Sequence, residues 1–351
     1  MASAKIGLLV SKSGPTALWT PSCINSAILG AAEANAAGGV MGAQIDLAVR
    51  DAGWDPERTI DAALDLIDID GASIVIGLVG SNTRDLVSAA ISPEVPFIYT
   101  PTYERGRSPS EVISLSSTDD VLMTPLLGWI EKRFRARRFF LVGSDFRWPR
   151  ETMPMAARMI SAAGNEVLGI RARPINASDD WDGRVVEEIK RLQPDMVLVL
   201  LAGDQTFPFY RAFAEAGLCA KIPRCAIATD ETVLLGLGPE MTEGLFACAH
   251  YFASVGSDAN ARFKELYWNA FGETAPVPNA YGQCLYEAVN YAVALMRVNR
   301  ATRGSRLLAT DYRAVGYKSA RFDSGTGSIA SRPPILIAEA NGLSFDVVAR
   351  F

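Results

Sequence analysis

The residues of this chain best suited to chemistry are small hydroxyl, amide and carboxylate side chains mixed with aromatic rings, and they fall directly after short apolar runs. Ser11-Lys12-Ser13-Gly14 follows Ile6–Val10, with Trp19 nearby; Gly80-Ser81-Asn82-Thr83 follows Ser73–Val79; Pro101-Thr102-Tyr103-Glu104 follows Phe97–Thr100. Later, Gly143-Ser144-Asp145-Phe146-Arg147-Trp148-Pro149 follows Phe139–Val142, Ala202-Gly203-Asp204-Gln205-Thr206 follows Met196–Leu201, and Thr229-Asp230-Glu231 follows Cys225–Ala228. If these runs are strands of open parallel sheets, the polar segments lie beyond their carboxyl ends, where such sheets bind ligands. Helix N-termini there offer backbone N–H groups to a carbonyl or carboxylate. Tyr99, Tyr103, Phe146 and Trp148 offer aromatic walls. Each has a plainer reading: Ser81, Asp204 and Asp230 stand just before helices and suit N-caps, and the rings suit packing at a hinge.

Signals for bond-making are thin. The single histidine, His250, lies inside a strand-like run, so any histidine-based triad would have to use it. There is no G-x-S-x-G elbow, no phosphate loop, no H-E-x-x-H and no G-x-G-x-x-G after the first strand. Gly325-Thr326-Gly327 sits in hairpin material, and Asp179-Asp180 and Asp230-Glu231 read as caps and solvated faces. The five cysteines, Cys23, Cys219, Cys225, Cys248 and Cys284, are widely spaced and predict buried thiols, with no disulfide framework and no zinc site. No cofactor is expected. The chain reads as a non-enzymatic receptor for one small polar organic ligand, with an amidase- or esterase-type hydrolase as the alternative.

At 351 residues the chain exceeds one ordinary core and predicts two lobes. A formal net charge of −5 excludes a nucleic-acid footprint, and the basic cluster Arg133 to Arg138 suits a helix C-terminus. No apolar run reaches the roughly 20 residues of a membrane span. Met1-Ala2-Ser3-Ala4-Lys5 leads straight into the first strand. The location is cytoplasmic if Met1 is the native start and periplasmic if a leader was removed.

The positioning elements follow from periodicity. Strand Ile6–Val10 precedes a helix from Ser22 to Ala37 closed by Gly38-Gly39; strand Ile45–Val49 precedes a helix started by Asp55-Pro56. Strand Ser73–Val79, helix Asn82–Ile91 and strand Phe97–Thr100 continue the alternation, which implies a parallel sheet between helices. The rhythm restarts after Ser116-Ser117-Thr118-Asp119-Asp120 and runs to Cys225–Ala228, building a second lobe. Leu245–Phe252 then reads as a strand, Asn260–Phe271 and Asn279–Val298 as helices, and Ser319 to Arg350 as hairpin material.

Three blocks are specific: Gly80-Ser81-Asn82-Thr83-Arg84, Tyr99-Thr100-Pro101-Thr102-Tyr103-Glu104, and the stretch Gly143 to Glu151. With Ile6-Gly7-Leu8-Leu9, Ser13-Gly14 and Gly38-Gly39-Val40, they resemble type I periplasmic binding proteins. The nearest branch holds the amide sensor of the amidase operon and the urea or short-chain-amide receptors of ABC transporters. The resemblance implies an α/β fold of two Rossmann-like lobes with three hinge crossings, residues 1–118 plus 249–318 and residues 119–248 plus 319–351. It implies a ligand held in the cleft by Ser81, Tyr99, Thr102 and Tyr103 from one side. Phe146 and Trp148 stand where the amide branch tends to place tyrosines, so the ligand is expected to be bulkier or less polar than acetamide or urea. An amino-acid ligand would need a carboxylate for its ammonium, and Asp204, Asp230 or Glu231 could serve. The implied partner is an ABC permease or a cytoplasmic regulatory protein, and a homodimer is compatible with either.

Overall fold

The structure is a computed structural model that describes residues 3–105, 112–178, 180–308 and 311–351. Met1 and Asp179, both invoked above, lie outside the described residues.

The chain opens with β1 (Ser3–Val10), apolar on both faces and buried from Ile6 onward, as an interior parallel strand must be. Helix α1 (Thr20–Ala36) ends at Gly38-Gly39, both with positive φ; a Cβ on Gly39 would run into the Ala43 carbonyl oxygen. The turn delivers β2 (Gln44–Asp51), which pairs parallel with β1. Helix α2 (Pro56–Asp68) starts as its sequence demands, with Pro56 in the first turn and the Asp55 carboxylate accepting from Glu57 N and Arg58 N at 3.0 and 3.1 Å. Strand β3 (Ile74–Leu78), helix α3 (Ser81–Ala90), strand β4 (Phe97–Tyr99) and strand β5 (Val112–Ser114) complete a parallel sheet of order β2-β1-β3-β4-β5.

The second series runs α4 (Asp119–Phe134), β6 (Arg138–Ser144), α5 (Arg147–Ala162), β7 (Glu166–Arg173), α6 (Trp181–Leu192), β8 (Met196–Leu200), α7 (Thr206–Glu215), β9 (Arg224–Ala226), α8 (Glu231–Leu237) and β10 (Leu245–Ala249). Lys132 and Arg133 occupy the last turn of α4, and Arg135 ends it in the left-handed region at φ 54°, so the basic cluster begins as a helix C-terminus. Helices α9 (Asp258–Phe271) and α10 (Ala280–Asn299) follow, then the short hairpin β11 (Tyr317–Lys318) and β12 (Thr326–Gly327). The chain finishes with β13 (Leu336–Asn341) and β14 (Ser344–Arg350), antiparallel to each other. The second sheet has the order β14-β13-β10-β9-β8-β6-β7, parallel apart from this terminal hairpin.

Contacts divide the chain into two compact units. Unit 1 takes the described residues of Met1–Thr102, Gly106–Ser117 and Gly256–Pro333; unit 2 takes Tyr103–Arg105, Thr118–Val255 and Pro334–Phe351. These borders differ from those drawn on the sequence, for physical reasons. Residues 319–333 go with unit 1, because the β11–β12 hairpin and the ion pair of Arg321 with Glu287 on α10 hold them there. Residues 249–255 go with unit 2, where the His250 ring meets the Pro334 carbonyl oxygen at 2.9 Å and Ala253 N donates to Glu231 at 2.6 Å. Tyr103–Arg105 joins unit 2 through a parallel bridge of Tyr103 with Thr118.

The core of unit 1 owes much to α1 lying close on α10. A Cβ on Gly30 would sit 3.2 Å from Val289 Cβ, and one on Gly282 would sit 3.0 Å from Ser26 Oγ. On α10, the buried Glu287 carboxylate accepts from Gln283 Nε2 at 2.7 Å, from Ser319 Oγ and from the Arg321 guanidinium, which also donates to Leu115 O. All five cysteines are buried thiols. Among the described residues no helix is long and apolar enough to cross a membrane.

Candidate functional site

In unit 1 the sheet order brings the segments after β2, β1, β3 and β4 side by side at one edge. Ser81 is the first residue of α3, with a buried side chain. It is not the N-cap expected from its place in the sequence: Gly80 holds that position in extended backbone, and its carbonyl receives Thr83 N and Arg84 N at 3.0 and 3.2 Å. Ser81 therefore sits inside the first turn, where helical N–H groups have no intrahelical partner.

Trp54, at the end of the β2 segment, lies against both neighbours. Its Cβ would be 3.0 Å from a Cβ on Gly14, and its Cη2 would be 3.6 Å from a Cβ on Gly80. Glycines at 14 and 80 thus admit an indole between the loops after β1 and β3, and the φ of 76° at Gly14 independently requires glycine. In the segment after Gly14, Trp19 closes a 3-10 turn and meets Tyr281 at the start of α10, with ring centroids 4.1 Å apart at 34°. Asn279 builds this end, capping α10 through Gly282 N at 2.8 Å and donating to Ser22 Oγ of α1 at 2.7 Å.

Tyr99 behaves differently from its expected role. It is fully buried, its hydroxyl donates to Val79 O at 3.1 Å, and the Arg84 guanidinium lies 5.4 Å over its ring. The side chain braces the strand end that precedes Gly80-Ser81. Thr102 is partly exposed and is the last residue of unit 1 before the chain leaves it.

In unit 2, Tyr103 and Trp148 both bond to one buried residue, Asp119, and Phe146 stands beside Trp148. Tyr103 O accepts Asp119 N at 2.9 Å beside the Tyr103–Thr118 bridge. Asp119, wholly buried in the first turn of α4, accepts through Oδ2 from Trp148 Nε1 at 2.7 Å and from Thr152 Oγ1 at 2.5 Å. Burial pushes its carboxyl up to about 7; the bonds from Thr152 and Trp148 oppose that rise, while the charges of Glu104 and Asp120 add to it. Phe146 holds the N-cap position of α5, partly exposed, with its ring 6.0 Å from that of Trp148. Buried Glu104 pairs with Arg147 at 3.2 Å.

The three acids expected from the sequence stand apart from this cluster; Glu231 opens α8 and accepts Ala253 N at 2.6 Å. Asp230 is buried and caps α8, accepting from Thr232 N and Val233 N at 3.1 and 3.3 Å, in keeping with its plainer reading. Asp204 is exposed in a single 3-10 turn over Gly203–Gln205, and the N-cap position of α7 belongs to Gln205. The order β9-β8-β6 still places the Asp230, Asp204 and Phe146 segments along one sheet edge, with Ser144 Oγ accepting Ala202 N at 3.0 Å to tie two of them. Among the described residues there is no group of three or more His, Cys, Asp or Glu side chains placed to hold a metal.

Neither Trp54 nor Asp119 stands among the site residues expected from the sequence, where Asp119 only marks the stretch at which the alternation restarts. The signal for Trp54 was available, because Asp51-Ala52-Gly53-Trp54 follows an apolar run like the other segments. For Asp119 no local signal exists: its partners Trp148 and Thr152 lie 29 and 33 residues away.

Known proteins share this architecture. A Leu/Ile/Val-binding protein of Rhizobium johnstonii is 24% identical over 263 residues, an alignment covering 74% of this chain and 65% of that relative, slightly under two thirds of its length. The solute-binding protein of an ABC transporter from Rhodopseudomonas palustris, solved with 3,4-dihydroxybenzoic acid, superposes with a TM-score of 0.86 at 20% identity, covering 99% of this chain and 97% of the other. The branched-chain amino acid transporter substrate-binding protein LivJ from Streptococcus pneumoniae, solved with isoleucine, gives 0.84 at 16% identity over 99% and 98%. At these identities the structural likeness shows the fold. The family model for periplasmic binding proteins matches residues 3–333, and the chain belongs to that family.

Proposed function

We propose that this chain is the non-enzymatic solute-binding receptor of an ABC importer, and that its solute is a small planar carboxylate, an aromatic acid in first place. The observation that carries this reading is the start of α3: buried Ser81 in the first turn, with the Trp54 indole packed against Gly80. Helix N-terminal amides and a hydroxyl suit a carboxylate oxygen, and an adjacent indole suits a flat ring. Unit 2 adds Phe146 and the Trp148 ring, whose N–H is already taken by Asp119. That leaves apolar faces to offer, which suits a ring better than acetamide or urea. The structural neighbour from Rhodopseudomonas palustris holds an aromatic acid of this type.

In this reading unit 1 offers Ser81, Trp54 and Thr102 to the solute's carboxylate end, with Tyr99 supporting them from the core, and unit 2 by itself offers Tyr103, Phe146 and Trp148 to a ring. The permease of the importer is the partner. An amino-acid solute is the second reading, favoured by the buried carboxylates Asp230 and Glu231 on the edge shared with Phe146, which would face an ammonium.

A thermal-shift panel followed by calorimetry tests this. Benzoate, 4-hydroxybenzoate, 3,4-dihydroxybenzoate, leucine, isoleucine, acetamide and urea are the probes. A bound solute at about 100 times its Kd adds about 2.7 kcal/mol of stability. The expected result is a shift with the aromatic acids that Ser81→Ala and Trp54→Ala each diminish. A panel dominated by leucine and isoleucine moves the assignment to amino acids, one dominated by acetamide and urea moves it to the amide sensors, and product formation from any amide moves it to a hydrolase.

A further inference from the structure

Trp148 is the second residue of α5, and its large side chain is buried against unit 2. An indole N–H in such a place needs an acceptor, because an unsatisfied buried donor is costly. The acceptor comes from the far end of a different element. Asp119 begins α4 immediately after the chain has passed from Ser117 in unit 1 to Thr118 in unit 2. Its Oδ2 takes both Trp148 Nε1 and Thr152 Oγ1, two groups one turn apart on α5. A carboxylate accepting both fixes the rotation of the indole and the register of the first α5 turn together.

We propose that Asp119 is a positioning residue for solute selectivity: it fixes the Trp148 ring in the orientation that favours a flat aromatic solute over a branched aliphatic one. The inference rests on the proposed function, since it takes Trp148 as a wall for the solute. It adds that the wall is set from the start of α4. The backbone supports this, because Asp119 N is itself bound to Tyr103 O, so the same residue ties a second predicted solute contact to the first.

Titratable groups lie on the elements packed against the start of α4. The helix itself contributes Asp120, which faces Arg105 at 3.4 Å. The Tyr103–Arg105 segment contributes Glu104, which is paired with Arg147 of α5. Strand β10 contributes the Cys248 thiol, which burial keeps protonated and which donates to Leu122 O. Burial raises the Asp119 carboxyl into the neutral range, so the strength of its hold on Trp148 changes with pH.

The test is a double-mutant cycle read by calorimetry with benzoate and isoleucine, using wild type, Asp119→Asn, Trp148→Phe and the double variant. Asp119→Asn is close to isosteric, and Thr152→Val serves as a second perturbation of the same carboxylate should the asparagine variant fold poorly. The quantity measured is the ratio of the two dissociation constants. Asp119→Asn is expected to reduce the preference for benzoate by about tenfold, in line with exchanging bonds to a charged acceptor for weaker ones to a neutral amide oxygen. In the Trp148→Phe background it should change the ratio by less than about twofold, because there is no indole left to hold. The wild-type preference should also weaken as pH falls from 8 to 6, and Asp119→Asn should remove that dependence. Additive effects of the two substitutions, or a pH dependence that survives Asp119→Asn, would overturn the positioning role. If Trp148→Phe alone leaves both affinities unchanged, the failure lies with the site reading itself, and the positioning role falls with it.

Discussion

Replacing Glu287 with alanine removes a buried carboxylate of unit 1 that accepts from three side chains, Gln283, Ser319 and Arg321. Its side chain is 0% exposed and that of its partner Arg321 is 2% exposed. Burial works against the Arg321 charge, yet Glu287 alongside raises its pKa above the ordinary arginine value. Removing Glu287 leaves that guanidinium buried with the Leu115 carbonyl as acceptor and strips bonds from Gln283 and Ser319. Breaking a buried pair by removing one partner costs about 3–5 kcal/mol. For a unit of about 150–250 residues, 1 kcal/mol shifts Tm by about 2–4 °C. The expected outcome in differential scanning calorimetry is thus a fall of roughly 10 °C for Glu287→Ala. Replacing both partners by methionine should recover most of the loss, because no charge is then stranded. A loss below about 1 kcal/mol for Glu287→Ala, or a double variant weaker than the single one, would refute the reasoning.

Two further outcomes follow from the geometry. The folded form holds a proton on Asp119 up to about pH 7, whereas an unfolded aspartate releases it near 4, so this group's contribution to stability is full below about pH 4 and is lost as pH rises toward 7; urea titrations between pH 4.5 and 8 should show Asp119→Asn removing a slope of at most about 1.4 kcal/mol per pH unit. Gly30→Val forces side-chain atoms into the α1–α10 contact, where even a Cβ would meet Val289 at 3.2 Å; overpacking of this kind costs about 1–3 kcal/mol in the same assay.

Much of the architecture can be read from residue patterns because its causes are local. The Asp55-Pro56 start of α2, the Gly38-Gly39 exit from α1 and the continuous apolar runs of β1, β3 and β8 each carry a signal within a few positions. Helix starts were placed within a residue or two, and the errors have a common origin. A serine next to a glycine looks like a cap, but Gly80 takes the cap position and Ser81 enters the helix. A tyrosine at a strand end looks like a pocket wall, but the pleat turns Tyr99 into the core, where Val79 O is waiting. The borders of the units and the Asp119 cluster depend on contacts between residues 15 to 84 positions apart, and no local pattern encodes those.

The position of β13 has a consequence for how the chain must be made. It pairs with β10 on one side and β14 on the other, although β10 ends at Ala249 and β13 begins at Leu336. Unit 1 is likewise interrupted, since α10 packs on α1 from more than 250 positions downstream. During synthesis at about 5–20 residues per second, the first core therefore waits for segments as far along as Pro333 and the second for segments beyond it. Until then the β10 edge stays open to other strands. Truncation before Leu336 should cost the second core its closing strands β13 and β14.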